Sequence, residues 1–398
     1  MSTIAQHSDI IIVGAGPAGL AFARFFKGTD LKLTLIEKSA LSSLQDPAYD
    51  GREIALTNTS KEILQNLGVW QRLPSDEIYP LKNAKVYSGN LEYSLDFQVP
   101  KLMRQMRSLD RLGNLISNHN IRKAVYDEVA TMDNVSLITD AAVIDAKTDD
   151  AAATVRLADG RSLTARLLIA ADSRLSSVRR MLGIGADMHD FGRTVIVFRV
   201  THPLSNGATA QECFLYGRTL ALLPLHDTMT NCVITLDNTQ ADELLSLEPQ
   251  ALAREAQRMF GDRFGAFTIA GSVHHYPLMG VHAHRFYAKR AALIGDAAVG
   301  MHPVTAHGYN LGLLSANILA PMILEADRRG ADIGDARLLA NYNRRHQAHT
   351  RPLYHGTNAM VSLFTNEARP MRAVRDLTLR ISNNLPPIKH WIAKQLVG

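Results

Sequence analysis

Residues 9–20 read DIIIVGAGPAGL. Asp9–Val13 is a short β-branched run, the pattern of a strand buried on both faces in a parallel sheet. Gly14–Gly19 is a turn spelled GxGxxG, and Leu20–Lys27 has helical spacing with its apolar residues turned toward a sheet. Leu31–Glu37 is a second apolar strand, completing a βαβ unit of about 30 residues. The glycines have a steric reason. The turn must be tight, and the backbone must approach a pyrophosphate closely, where the helix N-terminus offers unpaired N–H groups and the positive end of its dipole. Gly14, Ala15, Gly16, Pro17, Ala18 and Gly19 are therefore the candidate pyrophosphate loop. Glu37 ends the second strand, 18 residues after Gly19, where a carboxylate accepts hydrogen bonds from a ribose; Lys38 beside it joins the cofactor-binding set. GxGxxG alone is a weak signal, but in this βαβ context with Glu37 it points strongly to a dinucleotide.

A late stretch indicates which dinucleotide. An NAD-binding half is usually followed by further βαβ units, whereas here the second strand leads into a helix, sheet and a long excursion. The apolar strand AALIGDAA, residues 291–298, ends in Gly-Asp, and GDAAVGMHPVTAHGYNLGL, residues 295–313, carries a single formal charge. Asp296 at a strand end can bind a ribityl or ribose hydroxyl, and the Pro and Gly that follow let backbone approach a flat ring. This points to FAD, with adenine at the start of the sequence and the flavin near residue 300.

The chain has 398 residues, more than the ~250–300 at which one core usually stops growing, so two packed domains are expected. Hydrophobic residues are 46% and charged residues 20%, which excludes a disordered chain. The net charge of +5 is modest and the chain has no run of five or six like charges, giving nucleic-acid binding little support while suiting an anionic cofactor, an acidic partner or an anionic membrane surface. Cys213 and Cys232 lie in strand-like segments and read as reduced, buried thiols of a cytosolic protein, with no metal-ligand spacing. The N-terminus lacks a basic n-region and is not expected to be a signal peptide. The most apolar long stretch, residues 304–326, is broken by His307, Asn310, Asn317 and Pro321, so a cytoplasmic protein is expected, at most peripheral to the inner membrane.

The spacing predicts helices over 52–69 and 112–129, sheet over 77–100, and strands at 135–138, 141–146, 154–157 and 166–170, with a hairpin turn ADGR at 158–161. Residues 190–290 are β-rich with a helix-like interruption at 241–260, and 304–398 read as largely helical. The expected fold class is α/β: a Rossmann-like FAD-binding domain (1–76, 101–185 and 286–325), an inserted β-sheet substrate domain (77–100 and 186–285), and a helical C-terminal region (326–398).

The segments DIIIVGAGPAGLAFA, GREIALTNTSKEILQNLGVW, LGNLISNHNIRKAV, LLIAADSRLSSVRRMLGI and ALIGDAAVGMHPVTAHGYNLGL, with the tail from NYNRRHQAHT onward, fall in one order and spacing along nearly the whole chain. In this the chain resembles the flavin-dependent aromatic hydroxylases, the group A FAD monooxygenases, and more closely their ubiquinone-biosynthesis branch. The resemblance implies that Arg52 is a flavin-side arginine, that Arg122 meets the cofactor's pyrophosphate or ribose, and that Asp296 holds the ribityl chain. It places Pro303, Gly308, Tyr309 and Asn310 beside the flavin ring, and matches Asp172 and Arg179 to the family's DGxxSxxR element. Ser173 for Gly, Val299 for His, Ala306-His307 for Gly-Gln, and Leu314-Ser315 for Arg-Asp mark a distinct, atypical subgroup. His302 and His307 are the catalytic candidates, since imidazole titrates near neutrality and can assist a phenol proton; for His302 an orienting hydrogen bond is the alternative. His274, His275, His282 and His284 read as structural or surface histidines rather than metal ligands.

The implied activity is hydroxylation of the ring of a polyprenylated ubiquinone precursor by dioxygen through a flavin 4a-hydroperoxide, with NADH, NADPH or another donor as reductant. The alternatives are a flavin hydroxylase or reductase acting on another phenolic or prenyl substrate, and a non-catalytic flavin-fold component of a quinone-synthesis complex. Other ubiquinone-synthesis proteins are expected partners, and the basic amphipathic stretch from Arg369 to Arg380 a peripheral membrane contact.

Overall fold

A computed structural model describes residues 6–89, 94–99, 109–215, 217–301 and 308–365. Strand Gln6–Val13 lies inside an eight-stranded sheet, parallel to Leu33–Ile36 on one side and to Ser162–Ala170 on the other. Ile10 sits between Leu33 and Leu167, and Ile10, Ile11 and Ile12 are all fully buried. A strand covered on both faces has no reason to alternate, which is why this one reads as a continuous apolar run. Ala291–Leu293 returns to this sheet beside Ser162–Ala170, and the ADGR hairpin joins Ala153–Leu157 to Ser162–Ala170. Helix Pro17–Arg24 packs against helices Asn118–Val129 and Gly308–Arg328.

Two expected helices are shorter than their apolar spacing suggests. Glu53–Thr57 and Gly113–Ser117 are strands, paired antiparallel with each other, and Tyr79–Leu81 adds to them in a separate three-stranded sheet. Each strand runs straight into its helix through a cap. The Thr57 hydroxyl accepts from the Ser60 N–H at 3.2 Å, and the Ser117 hydroxyl from the Asn120 N–H at 3.2 Å. The helices are therefore Asn58–Asn66 and Asn118–Val129. Buried strand residues such as Leu56 and Ile116 happen to continue the helical spacing backwards across the cap.

The second eight-stranded sheet is mostly antiparallel and contains Thr268–Ala283, Ala186–Thr201, Met229–Asp237, Arg218–Pro224 and Thr209–Leu215 in spatial order. One face, with Ile196, Phe198, Cys213, Leu220, Cys232 and Ile234, is sealed by helix Pro249–Phe260. Both cysteines are buried and unbridged. The helix expected over 241–260 is two helices, Asn238–Leu245 and Pro249–Phe260, separated where Pro249 opens the second. Val299–Gly300, only six residues past the first sheet's returning strand, pairs with the second sheet at Val281–His282, so residues 291–300 bridge both sheets. Helices Gly308–Arg328 and Ala336–Thr365 follow. Arg369–Arg380 lie outside the described residues, among which no helix is long and apolar enough to cross a membrane.

Candidate cofactor and substrate site

The glycine loop, the segment Ala171–Leu175 and the Gly295-Asp296 turn converge on a cavity of about 670 Å³ whose far wall is the open face of the second sheet. The three loop glycines divide the work. Gly14 has φ +104°, and a Cβ there would lie 2.5 Å from the Ala171 carbonyl oxygen. A Cβ on Gly19 would lie 2.1 Å from the Gly14 oxygen, so both residues let backbone pass backbone. Gly16 is different: a Cβ built on it meets nothing within 4 Å, and the residue lines the cavity with Pro17 and Ala18. The space beyond Gly16 is therefore open to a ligand. Glu37 braces the loop from behind, accepting from the Ala15 N–H at 2.8 Å and the Ser39 N–H at 3.0 Å. Glu37 and the exposed Lys38 are not part of the cavity lining.

Arg52 lines the cavity in a fixed pose. Its Nε and Nη2 reach Asp50 Oδ2 at 3.0 and 2.5 Å, and its guanidinium lies 5.3 Å from the centre of the Tyr276 ring. Asp50 also accepts from Asn118 Nδ2 at 2.7 Å, and Tyr276 donates its hydroxyl to the Asp50 carbonyl. Burial pulls the Asp50 carboxyl up, but the Arg52 guanidinium and backbone N–H and the Asn118 amide outweigh it and hold it below its ordinary value. Arg122, half-buried, lines the same space and reaches the Ser43 carbonyl at 3.4 Å. Asp296 is in the wall, paired with Arg174 at 3.5 Å.

Asp172 accepts from the Ser177 N–H at 2.9 Å, at the start of a short helix, while its buried Oδ1 has no partner. Arg179 is 2% exposed and donates to the carbonyls of Arg174 and Ala297 at 3.1 and 3.0 Å. It thus staples the Asp172 segment to the Asp296 turn from outside the cavity. Ser173 needs no left-handed backbone, because the only non-glycine residues at positive φ among those described are Asp140, Ala208 and Arg290. Its departure from glycine therefore carries no strain.

Gly308 and Tyr309 line the cavity, and the Tyr309 hydroxyl is buried without a partner. Asn310 does not line it. Its Oδ1 accepts from the Thr57 N–H at 3.1 Å and its Nδ2 donates to the Ala55 carbonyl at 2.9 Å, so its amide clips strand Glu53–Thr57 to helix Gly308–Arg328. His302, Pro303 and His307 lie outside the described residues. Among the described residues no group of three or more His, Cys, Asp or Glu is placed to hold a metal. His282 is buried beside Thr350 and Tyr354, and burial pushes it down to about 4, while His284 pairs with Asp187 at the surface.

Two lining carboxyls escaped the sequence reading. Glu53 is fully buried, and its Oε1 accepts from Arg199 at 2.6 and 3.1 Å while its Oε2 has no partner. Burial pushes it up to about 7, outweighing the opposing Arg199. Glu212 lines the sheet end and is pushed up to about 8 by burial. The only available signal for Glu212 was a single acid within an otherwise apolar β-rich run; for Glu53 there was none once its segment was read as helix.

At one end the cavity has three arginines, an open glycine loop and buried polar atoms on Asp172 and Tyr309. At the other it has a mostly apolar sheet face. A ligand with an anionic half and a flat, partly apolar half fits this gradient, and FAD is such a molecule. The family model for the FAD binding domain matches residues 7–355, and the chain belongs to that family of flavoproteins. Its sequence is 56% identical over 392 residues to ubiquinone hydroxylase UbiM of Neisseria meningitidis serogroup C / serotype 2a, spanning 98% of this chain and 85% of that protein. It is 25% identical over 396 residues to 3-demethoxyubiquinol 3-hydroxylase of Escherichia coli K12, across 99% of each. The fold is shared with p-nitrophenol 4-monooxygenase PnpA of Pseudomonas putida, at a TM-score of 0.77 and 17% identity over 99% of both chains.

Proposed function

We propose that this protein is an FAD-dependent monooxygenase that hydroxylates the aromatic ring of a polyprenylated ubiquinone precursor. The observation that carries the reading is one continuous cavity, running from a pyrophosphate-type glycine loop to an apolar sheet face, in a chain 56% identical to a ubiquinone hydroxylase. The chemistry supplied by FAD when bound is two-electron redox transfer and the activation of dioxygen. The chain's own part is placement and exclusion of water. Gly16 with the N-terminus of helix Pro17–Arg24 takes the pyrophosphate, Arg122 supports it, and Asp296 holds the ribityl chain. Arg52 stands at the ring side, pinned by Asp50 and Tyr276. Gly308 and Tyr309, in the first turn of helix Gly308–Arg328, line the cavity, where the positive end of the helix would favour the negative charge a reduced flavin carries.

In this reading the first sheet and its helices serve as the cofactor half and the second sheet as the substrate half. The substrate of this reading carries an apolar prenyl tail. Such a tail suits a cytoplasmic protein working at the inner-membrane surface beside other quinone-synthesis proteins, with NADH or NADPH as reductant. The test is reconstitution of the purified protein with FAD, NADH or NADPH, a prenylated phenol and 18O-labelled dioxygen. One labelled oxygen should enter the ring. Reductant oxidation that yields only hydrogen peroxide, in the presence of substrate and either nucleotide, overturns the reading.

A further inference from the structure

The open face of the second sheet forms the cavity floor in clear rungs. Val195, Thr235 and Thr219 lie in register across three strands, with Tyr276 next to Val195 on a fourth. The adjoining rung is Val197, Val233, Ala221 and Glu212. All of these residues line the cavity. Among the described residues Glu212 is thus the one charged group on a floor of Val, Ala, Leu, Thr and Tyr. No hydrogen bond or ion pair ties its carboxyl to any described residue. The three cations in the wall, Arg52, Arg122 and Arg174, are engaged elsewhere, with Asp50, the Ser43 carbonyl and Asp296. Burial raises the Glu212 carboxyl to about 8 and so favours its neutral form.

A carboxyl set into an apolar surface without a partner costs free energy that any aliphatic residue here would avoid. It also faces the cavity rather than the sealed side of the sheet. The cost has a use if a ligand completes the pairing. We propose that Glu212 binds a hydroxyl on the ring of the aromatic substrate and so selects a neutral, hydroxylated ring over a ring bearing a carboxylate. This inference rests on the substrate reading given above and adds the residue that sets the ring's orientation. A neutral carboxyl donates through its O–H and accepts through its carbonyl oxygen, so it meets a phenol hydroxyl in either sense. Thr219 and Thr235, one rung away, are the nearest other polar side chains on the floor. An anionic substituent brought to the same place finds no cation among the described floor residues; the two carboxyls would share one proton and leave a net negative charge uncompensated on an apolar surface.

The experiment is calorimetric binding to the FAD-loaded, oxidised protein without reductant, so that nothing turns over. The probes are 2-prenylphenol, prenylbenzene, which differs only by the missing hydroxyl, and the same phenol carrying a ring carboxylate. The wild-type protein should bind 2-prenylphenol about tenfold or more tightly than prenylbenzene, the effect of a polar group that only the hydroxyl satisfies. It should bind the carboxylated phenol at least about tenfold more weakly than the parent. Glu212→Met, of similar length, should bring phenol and prenylbenzene to within about twofold, while Glu212→Gln, which still donates and accepts, keeps the preference. Glu212→Ala is the second apolar variant, and whichever of the two retains wild-type FAD content and unfolding temperature decides. If that variant keeps the full hydroxyl preference, the assignment of Glu212 is wrong while the substrate reading stands. If the wild type binds neither prenylated compound, the substrate reading fails and this assignment with it.

Discussion

Replacing Gly16 by Ala should separate cofactor affinity from fold stability. Gly16 has φ −70° and ψ 173°, an extended conformation that alanine adopts freely. Its added methyl would meet no protein atom within 4 Å. On the protein side the substitution therefore only restricts the unfolded chain, which stabilises by about 0.4–1 kcal/mol. For a chain of 398 residues that corresponds to a rise of about 1 °C in apoprotein unfolding temperature. On the ligand side the methyl occupies the space that the pyrophosphate needs. Overpacking by one methyl group typically costs about 1–3 kcal/mol, so FAD should bind roughly 5- to 150-fold more weakly. The assay pairs a fluorescence titration of FAD into apoprotein with thermal unfolding of the same preparation. Gly19→Ala is the contrast: its methyl collides with the Gly14 backbone at 2.1 Å, so stability and FAD binding should fall together. Unchanged FAD affinity in a folded Gly16→Ala protein would refute the placement of the cofactor at this loop.

Three further outcomes follow from side chains around the site. Arg52→Lys keeps the charge but loses the planar stack on Tyr276 and the fork on Asp50, so the dissociation constant for FAD should rise roughly tenfold or more while the apoprotein stays folded. Because Glu53 is held near 7 in the folded chain against 4.5 as its ordinary value, the native state keeps a proton that the unfolded state has lost between those pH values. Stability should thus fall as pH rises through that window, by up to about 1.4 kcal/mol per pH unit. Urea unfolding at pH 5, 6 and 7 should show the wild type losing stability relative to Glu53→Gln as pH rises, since Glu212 and the buried histidines contribute equally to both, and parallel curves would rule it out. Glu128 behaves in the opposite sense. Arg72, Lys27 and Arg24 hold it at about 2 against its burial, so the stability it contributes is full above pH 4.5 and lost as pH falls toward 2. With Lys27 and Arg72 each more than a third exposed and screened, Glu128→Gln at pH 7 should cost about 1–3 kcal/mol in urea unfolding.

The glycine-loop end of the cavity was readable from the primary structure because its requirements are local. A βαβ unit, a turn that admits only glycine at two positions and a loop that leaves space at a third are all written within about 30 residues. The Gly295-Asp296 turn is similarly compact, and Gly16, Arg52, Arg122, Asp296, Gly308 and Tyr309 do line one cavity. Where the reading went astray, the deciding contacts were distant. Glu53–Thr57 is a strand because Gly113–Ser117 pairs with it, some 60 residues along the chain, and no local spacing reports that partner. Asn310 looked like part of the ring wall but holds the backbone of residues 55 and 57, from 255 and 253 positions away.

The substrate end shows the same division most sharply. That residues 190–290 would form a sheet was apparent from composition and alternation. Which face of that sheet would be sealed by helix Pro249–Phe260, and which left open to a cavity, was not. Strand alternation says that Glu212 and Cys213 point to opposite sides, but only the packing of a helix on the Cys213 side leaves Glu212 facing the cavity. Local sterics are encoded residue by residue in the order of the chain. The environment of a side chain is set by whatever the rest of the fold brings against it.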